Sequence, residues 1–464
     1  NGIPFFTDTT DGSMYTHNVS GNVGYTLATG NTAYGFNAMD SITTGDDNVA
    51  IGKSAGTALT TGGSNVLVGK DAGDSLTAGA RNVAIGTDAL QSENDHGRNV
   101  AIGYEALLTQ DADADAYNVA IGYQAGVSVS TGINNTIVGG LAGDAINTGS
   151  QNVAVGKASL SSATTASDNV GLGHGALSAL TTSARNVAIG TQALNGAMNT
   201  NSNTYNIAVG YQAGTAVTTG TKNIFIGGFA GDEQQTASSS IGIGYRALSG
   251  VVTGANNIGI GEDAGLAVTS GANNIILGTS AGDNLTTGSN NIAIGQGALS
   301  AEDDHGRNVA IGQSALAVQN ADQDAYNTAV GYNAGLSVTT GALNTIIGGL
   351  AGDALTEGNS NVAIGNNALS SEVLGDRSVA VGNNALLSQS NTSDTDVYNV
   401  AVGFDSGKVI TTGANNTLIG GLAGDALTEG AGNVALGYRA LSAETLHGRN
   451  VAIGQDALFS LNAG

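Results

Sequence analysis

A glycine that closes a stretch such as Asn-Val-Ala-Ile returns 25 times between Gly35 and Gly454, and this spacing restricts the fold more than anything else in the chain. Twenty of the 24 intervals are 17 residues; the other four are 19, 20, 19 and 21. The unit reads N-V-A-I-G-x-x-A-(L or G), followed by about eight polar residues that often end in T-T-G-x-N. We number it from the asparagine, so that Asn48 is position one and Gly52 position five. Helical repeats need roughly 33 residues or more to hold two helices. Seventeen residues suit one coil of a β-solenoid, in which N-V-A-I-G alternates as a strand and Gly and Asn turn the corners.

The chain is therefore expected to be all-β, a parallel β-solenoid or β-roll of about 25 coils. Coils stacked at the strand spacing of ~4.8 Å would give a rod of about 120 Å. Position one is Asn in all units but two, where Ser240 and Ser378 stand. Stacked asparagines predict a side-chain amide ladder running from coil to coil. Residues 31–464 form the repeat shaft. Residues 1–30 have a different rhythm and two adjacent phenylalanines, and are expected to cap the first coil or join a preceding domain.

A second order lies in positions nine and twelve. Where nine is Gly, twelve is mostly a large aliphatic such as Leu59, Val129 or Leu427; where nine is Leu, twelve is often polar, as with Glu93, Gln110 and Glu444. The two places are expected to fill one core slot at constant volume. Position three is Ala, Gly or aliphatic in every unit except for Phe225. Reading Val and Ile as the core-facing pair turns position three outward and makes it a continuous apolar stripe. Such a stripe has to be covered, and a second copy of the rod is the natural cover. Ala50, Leu67, Ala101, Ile137, Phe225, Ile276, Ala310, Ile346 and Leu418 are thus expected to form the seam of a parallel homotrimer.

The motif "NVAIG" followed by Ala three residues on resembles the head domains of trimeric autotransporter adhesins, and "NTAYGFNAMDSITTGDDNVAIG" (31–52) is similar to repetitive fibre proteins of tailed bacteriophages. That resemblance implies an intertwined trimer and an extracellular place on a virion surface or, alternatively, on a bacterial one. It also implies contact with a cell-surface glycan or protein receptor. The chain is expected to be a fibre shaft that holds a tip away from its base. Asn1 in place of an initiator methionine, and a last unit that simply stops, suggest a piece of a longer protein.

Composition narrows the chemistry. With 13 basic residues against 37 acidic, a net charge of −24 disfavours nucleic acid and anionic membranes. No apolar run approaches a membrane span, and the absence of cysteine removes disulfide and thiol chemistry. No catalytic triad, phosphate loop or zinc spacing stands out, so no enzyme is expected. Six arginines (Arg81, Arg98, Arg185, Arg307, Arg377, Arg449) close a unit and are expected to form salt-bridge ladders. Paired threonines at thirteen and fourteen admit an ice-binding reading, which units such as "SENDHG" interrupt. His96, His305 and His447 read as solvated corners. The best candidate sites are the four insertions, "DADADAY" (111–117), "NTNSNTY" (199–205), "NADQDAY" (320–326) and "NTSDTDVY" (391–398). No cofactor is required, but their carboxylates suit calcium: Asp111, Asp113, Asp115, Asp322, Asp324, Asp394 and Asp396. The competing readings are a plain solvated bulge, and carbohydrate contact through the closing tyrosines.

Overall fold

The computed structural model describes residues 28–459 together with the short strands Phe6–Thr7 and Met14–Tyr15. The expected N-terminal cap falls mostly outside the described residues. The protein is a parallel β-solenoid of about 25 coils with a 17-residue repeat and no helix among the described residues. It divides into two compact units, Asn1–Thr236 and Ala237–Gly464. The first holds twelve stacked three-residue strands, from Thr32–Tyr34 to Ile224–Ile226, and the second thirteen, from Ile241–Ile243 to Val451–Ile453. Within each unit every strand pairs in parallel with the next at a matched register, as in Val49↔Val66, Ala50↔Leu67 and Ile51↔Val68. Each unit closes its own apolar core.

The corner glycine at position five has two physical reasons. At Gly52 φ is +140°, a region closed to L side chains. A Cβ there would also lie 2.3 Å from the carbonyl oxygen of Gly69 in the next coil. Three further corners per coil bend through left-handed backbone at seven, nine and seventeen. At nine this holds whether the residue is Gly56 (φ 58°) or Leu90 (φ 53°), so packing overrides the local cost to leucine.

The asparagine ladder forms as expected. Asn48 is fully buried and donates from Nδ2 to the Gly62 carbonyl at 2.9 Å, while its Oδ1 accepts the main-chain N–H of Asn65 at 2.9 Å. The rung repeats at Asn65, Asn135, Asn274 and Asn416, always onto the carbonyl 14 residues ahead. An interior made of aliphatics gains from this because buried amides cost free energy unless paired.

The expected direction of position three is reversed. Ala50, Leu67, Ala101, Ile137, Phe225, Ile276, Ala310, Ile346 and Leu418 are all 0% exposed in the single chain. They are the chain's own core and not an intersubunit seam. Their sizes follow position nine. Where two Gly-type coils are stacked, the second carries the large residue: Leu67, Ile137, Phe225, Ile276, Ile346 or Leu418. A Cβ on Gly214 or Gly231 would strike the Phe225 ring at 3.0 or 2.5 Å, and one on Gly56 or Gly73 would strike Leu67 at 2.6 or 2.9 Å. Each large side chain therefore occupies the room that two glycines leave. Positions nine and twelve also exchange as expected, with Leu59 and Leu76 buried at twelve and Leu90 and Leu107 buried at nine.

Candidate functional site

Inward rotation of position three turns positions two and four outward. In the first unit 21 of these 24 residues are Val, Ile or Leu, with Thr32, Tyr34 and Thr136 the exceptions; in the second unit 23 of 26 are. None is fully buried, and Ile51, Ile121, Leu172, Ile260, Ile347 and Leu436 are 37–44% exposed. Each unit thus presents a mainly aliphatic sheet face without a charge. Twelve rows ~4.8 Å apart and about 10 Å wide make roughly 600 Å². That lies at the upper end of what a soluble monomer leaves open.

The insertions break the regular corner, and an arginine clasp secures each of them. In the first, Arg98 pairs with Asp115 at 2.6 Å, donates to the Tyr117 hydroxyl and lies 5.2 Å over its ring. In the third, Arg307 pairs with Asp324, donates to Tyr326 at 2.7 Å and covers its ring at 5.4 Å. Arg377 does the same with Asp396 and Tyr398. The second insertion carries no carboxylate, and Arg185 turns to Asp168 of the coil before it, at 3.5 Å, while still donating to Tyr205 at 2.9 Å. The Asp115 and Asp324 carboxylates also cap the Gly97 and Gly306 N–H groups.

This geometry does not gather the seven aspartates into one calcium-binding group. Asp115, Asp324 and Asp396 spend their charge on arginine, whereas Asp111, Asp113, Asp322 and Asp394 point separately into solvent. No group of three or more His, Asp or Glu side chains among the described residues is arranged to hold an ion. The alternating sequence misled because its alanines do not share one face: Ala112 and Ala116 plug into the interior, while Ala114 is exposed. The tyrosines that close the insertions, Tyr117, Tyr205, Tyr326 and Tyr398, are held by arginine and stay 47–50% exposed.

Sequence reading missed a set of buried carboxylates. Glu93, Glu302, Glu372 and Glu444, at position twelve, are 0–1% exposed. They serve as main-chain caps beside the asparagine ladder. Glu93 Oε1 accepts the Asn94 and His96 N–H groups at 3.2 and 3.3 Å, and Oε2 accepts Asn99 Nδ2 at 3.3 Å. Glu372 is the most completely satisfied, with Val373, Gly375 and Asn391 N–H groups on one oxygen and Gln389 and Asn391 amides on the other. Glu302 keeps Oε2 without a hydrogen-bond partner, as does Nδ2 of nearby Asn308. Burial pushes the carboxyls of Glu93 and Glu302 up to about 7, with neighbouring aspartates adding to it. At Glu444 burial pushes the same way, but the N–H groups of His447, Thr445 and Leu446 and the His447 ring outweigh it and hold the group below its usual range. The signal was in the sequence: an acid recurs at a position that is mostly Leu, Val or Ile in the coils with glycine at nine.

Comparison with known proteins finds no matching family model and no matching curated sequence. No helix among the described residues is long and apolar enough to cross a membrane.

Proposed function

We propose that the protein is a structural fibre element, the shaft of a virion tail or receptor-binding fibre, whose copies assemble side by side through the aliphatic sheet face. A solenoid built of nearly identical coils fits a fibre-like structural protein. The observation that carries the assembly is the face itself: 44 outward strand residues of Val, Ile or Leu in two units, with no charge among the outward positions. Mating one unit's face with another's would bury about 1,200 Å² in total, the lower bound of a stable interface. A second copy matches the face row for row because its coils rise by the same strand spacing. Three copies in parallel is the arrangement we favour. The sequence resemblance supports a place outside the cell, and the net charge of −24 supports neither nucleic acid nor an anionic membrane as partner.

Sedimentation tests this. The wild type should run as about three chains at micromolar concentration. Ile85→Glu, Ile121→Glu and Leu172→Glu combined should leave β structure intact and reduce the particle to single chains, because charges on the face cannot be desolvated without partners. A wild type that sediments as one chain, or a triple variant that assembles unchanged, would refute the proposal.

A further inference from the structure

Six residues after each clasped tyrosine, at position six of the coil that follows, a second aromatic stands free of the arginine: Tyr123, Tyr211, Tyr332 and Phe404. These rings are 51–57% exposed. Position six of the next coil is glycine in all four cases, Gly140, Gly228, Gly349 and Gly421. The glycine is not required by the backbone at Gly140, Gly349 or Gly421, because φ there is not left-handed. Nor is it required by crowding. A Cβ on Gly140 would meet nothing within 4 Å, and on Gly349 and Gly421 nothing closer than 3.5 Å. An ordinary side chain would fit beside Tyr123 and Tyr332, at Gly140 and Gly349. Over Tyr211 the Phe229 ring packs at 5.2 Å with the planes 76° apart, and a Cβ on Gly421 would meet the Tyr438 ring at 3.5 Å.

The floor of this notch is built the same way in each copy. The residue after the glycine, Leu141, Phe229, Leu350 or Leu422, donates its N–H to the carbonyl of the aromatic residue below at 2.8–2.9 Å. The ring thus sits at a fixed height under an apolar step. Polar side chains flank it: Gln124 is bonded to Glu105 at 2.7 Å, Gln212 to Gln192 at 2.8 Å, and Asn384 to Asp405 at 2.8 Å. Tyr104 stacks under Tyr123 with centroids 5.6 Å apart and planes 9° apart, which widens that platform.

We infer that these four notches are carbohydrate subsites, each taking one uncharged pyranose ring on its aromatic face. A sugar ring has an apolar C–H face that packs on an aromatic ring and an equatorial rim of hydroxyls that amides and carboxylates read. The protein's net charge of −24 selects against anionic sugars. Phe404 shows that the ring face is the shared element and the tyrosine hydroxyl is not. The copies in one unit stand five coils apart (Tyr123 and Tyr211) or four (Tyr332 and Phe404), about 24 and 19 Å along the stack. No single residue of a glycan spans that distance, but a polymer repeats its own face, and weak sites along it add by avidity. This inference does not depend on self-association.

Saturation-transfer NMR with cellotetraose, maltotetraose and chitotetraose, read beside tyrosine fluorescence, tests it. The protein contains no tryptophan to mask that signal. At least one sugar should bind with Kd near or below about 1 mM, in the range of a few kcal/mol expected of such shallow sites. Tyr123→Ala, Tyr211→Ala, Tyr332→Ala and Phe404→Ala together should weaken it at least tenfold without altering sedimentation. Filling the notch by Gly140→Leu, Gly349→Leu and Gly421→Leu, which the backbone accommodates, should do the same. No transfer from any of the three sugars, or binding that survives both sets of variants, overturns the inference. So does loss of assembly in the alanine variant, which would make the rings a contact between copies.

Discussion

The regular 17-residue coils and the four widened ones solve the same problem differently. In a regular coil such as that of Asn48, the amide reaches the corner carbonyl 14 residues ahead, and the interior beside it is filled by Leu59. Widening a coil displaces that corner. The Asn99 amide then turns back to Glu93, and Asn118, at the far side of the insertion, gains Gln110 at 2.6 Å. Asn327 and Asn399 make the equivalent bonds to Gln319 and Gln389. At the first insertion a buried acid and a buried amide thus repair the ladder and an arginine clasp holds the loop, whereas at the third the Asn308 amide keeps no partner, and at the second Asn206 faces the Met198 sulfur. The lesson is that buried polar groups are placed where regularity fails, because an orphaned amide costs more than a made bond returns.

The comparison can be broken most strongly at the ladder. Asn65→Ala should destabilise its unit by about 2–5 kcal/mol, since the Gly79 carbonyl and the Asn82 N–H would both be left without partners. Asn99→Ala should behave differently, costing more at about pH 8 than at about pH 5, because a charged Glu93 suffers most from losing its donor. Denaturant titration of both variants at the two pH values separates a uniform ladder from a repaired one.

Glu93 and Glu302 sharpen the contrast next. Their folded carboxyls lie at about 7, above the ordinary 4.5, so the fold favours the protonated form. That contribution is fully present below pH 4.5 and is lost as pH rises through about 7. Each group supplies at most about 3 kcal/mol of this slope. Glu93→Gln with Glu302→Gln should flatten stability across that window. A slope unchanged by both substitutions would mean the acids are solvated.

The clasp is expected to matter least for global stability. Arg98→Ala should leave the melting temperature nearly unchanged, as exposed ion pairs contribute little, while amide exchange within residues 111–117 quickens. A chelator should change neither. If it lowers the melting temperature, the acids of the insertions hold an ion after all.

Much of this was legible in the chain. The 17-residue period fixed the coil, the run of Asn at position one fixed the ladder, and the trade between nine and twelve fixed how the core is filled. The direction of the strand was not legible from hydrophobicity. In Val-Ala-Ile both faces are apolar, and the larger pair looks like the core. A slip of one residue exchanges the faces. The cue that decides it is covariation. Leu67, Ile137, Phe225 and their equivalents occur only where two glycines at position nine are stacked, which a residue pointing away from the coil would have no reason to respect. The insertions were misread for a related reason, since alternating Asp and Ala in "DADADAY" looks like one acidic face until Ala114 is seen exposed between the buried Ala112 and Ala116.

The orientation of the strand is the claim on which the assembly face rests, and the lack of any native cysteine permits a direct test. Ala120 and Ile121 are neighbours in one strand, 0% and 38% exposed. Single-cysteine variants Ala120→Cys and Ile121→Cys would be treated with a thiol reagent at a dilution where sedimentation shows single chains. Ile121→Cys should react within the time of a free thiol, and Ala120→Cys only at the rate of unfolding. Equal or faster labelling at position 120 would contradict the account, returning position three to the surface.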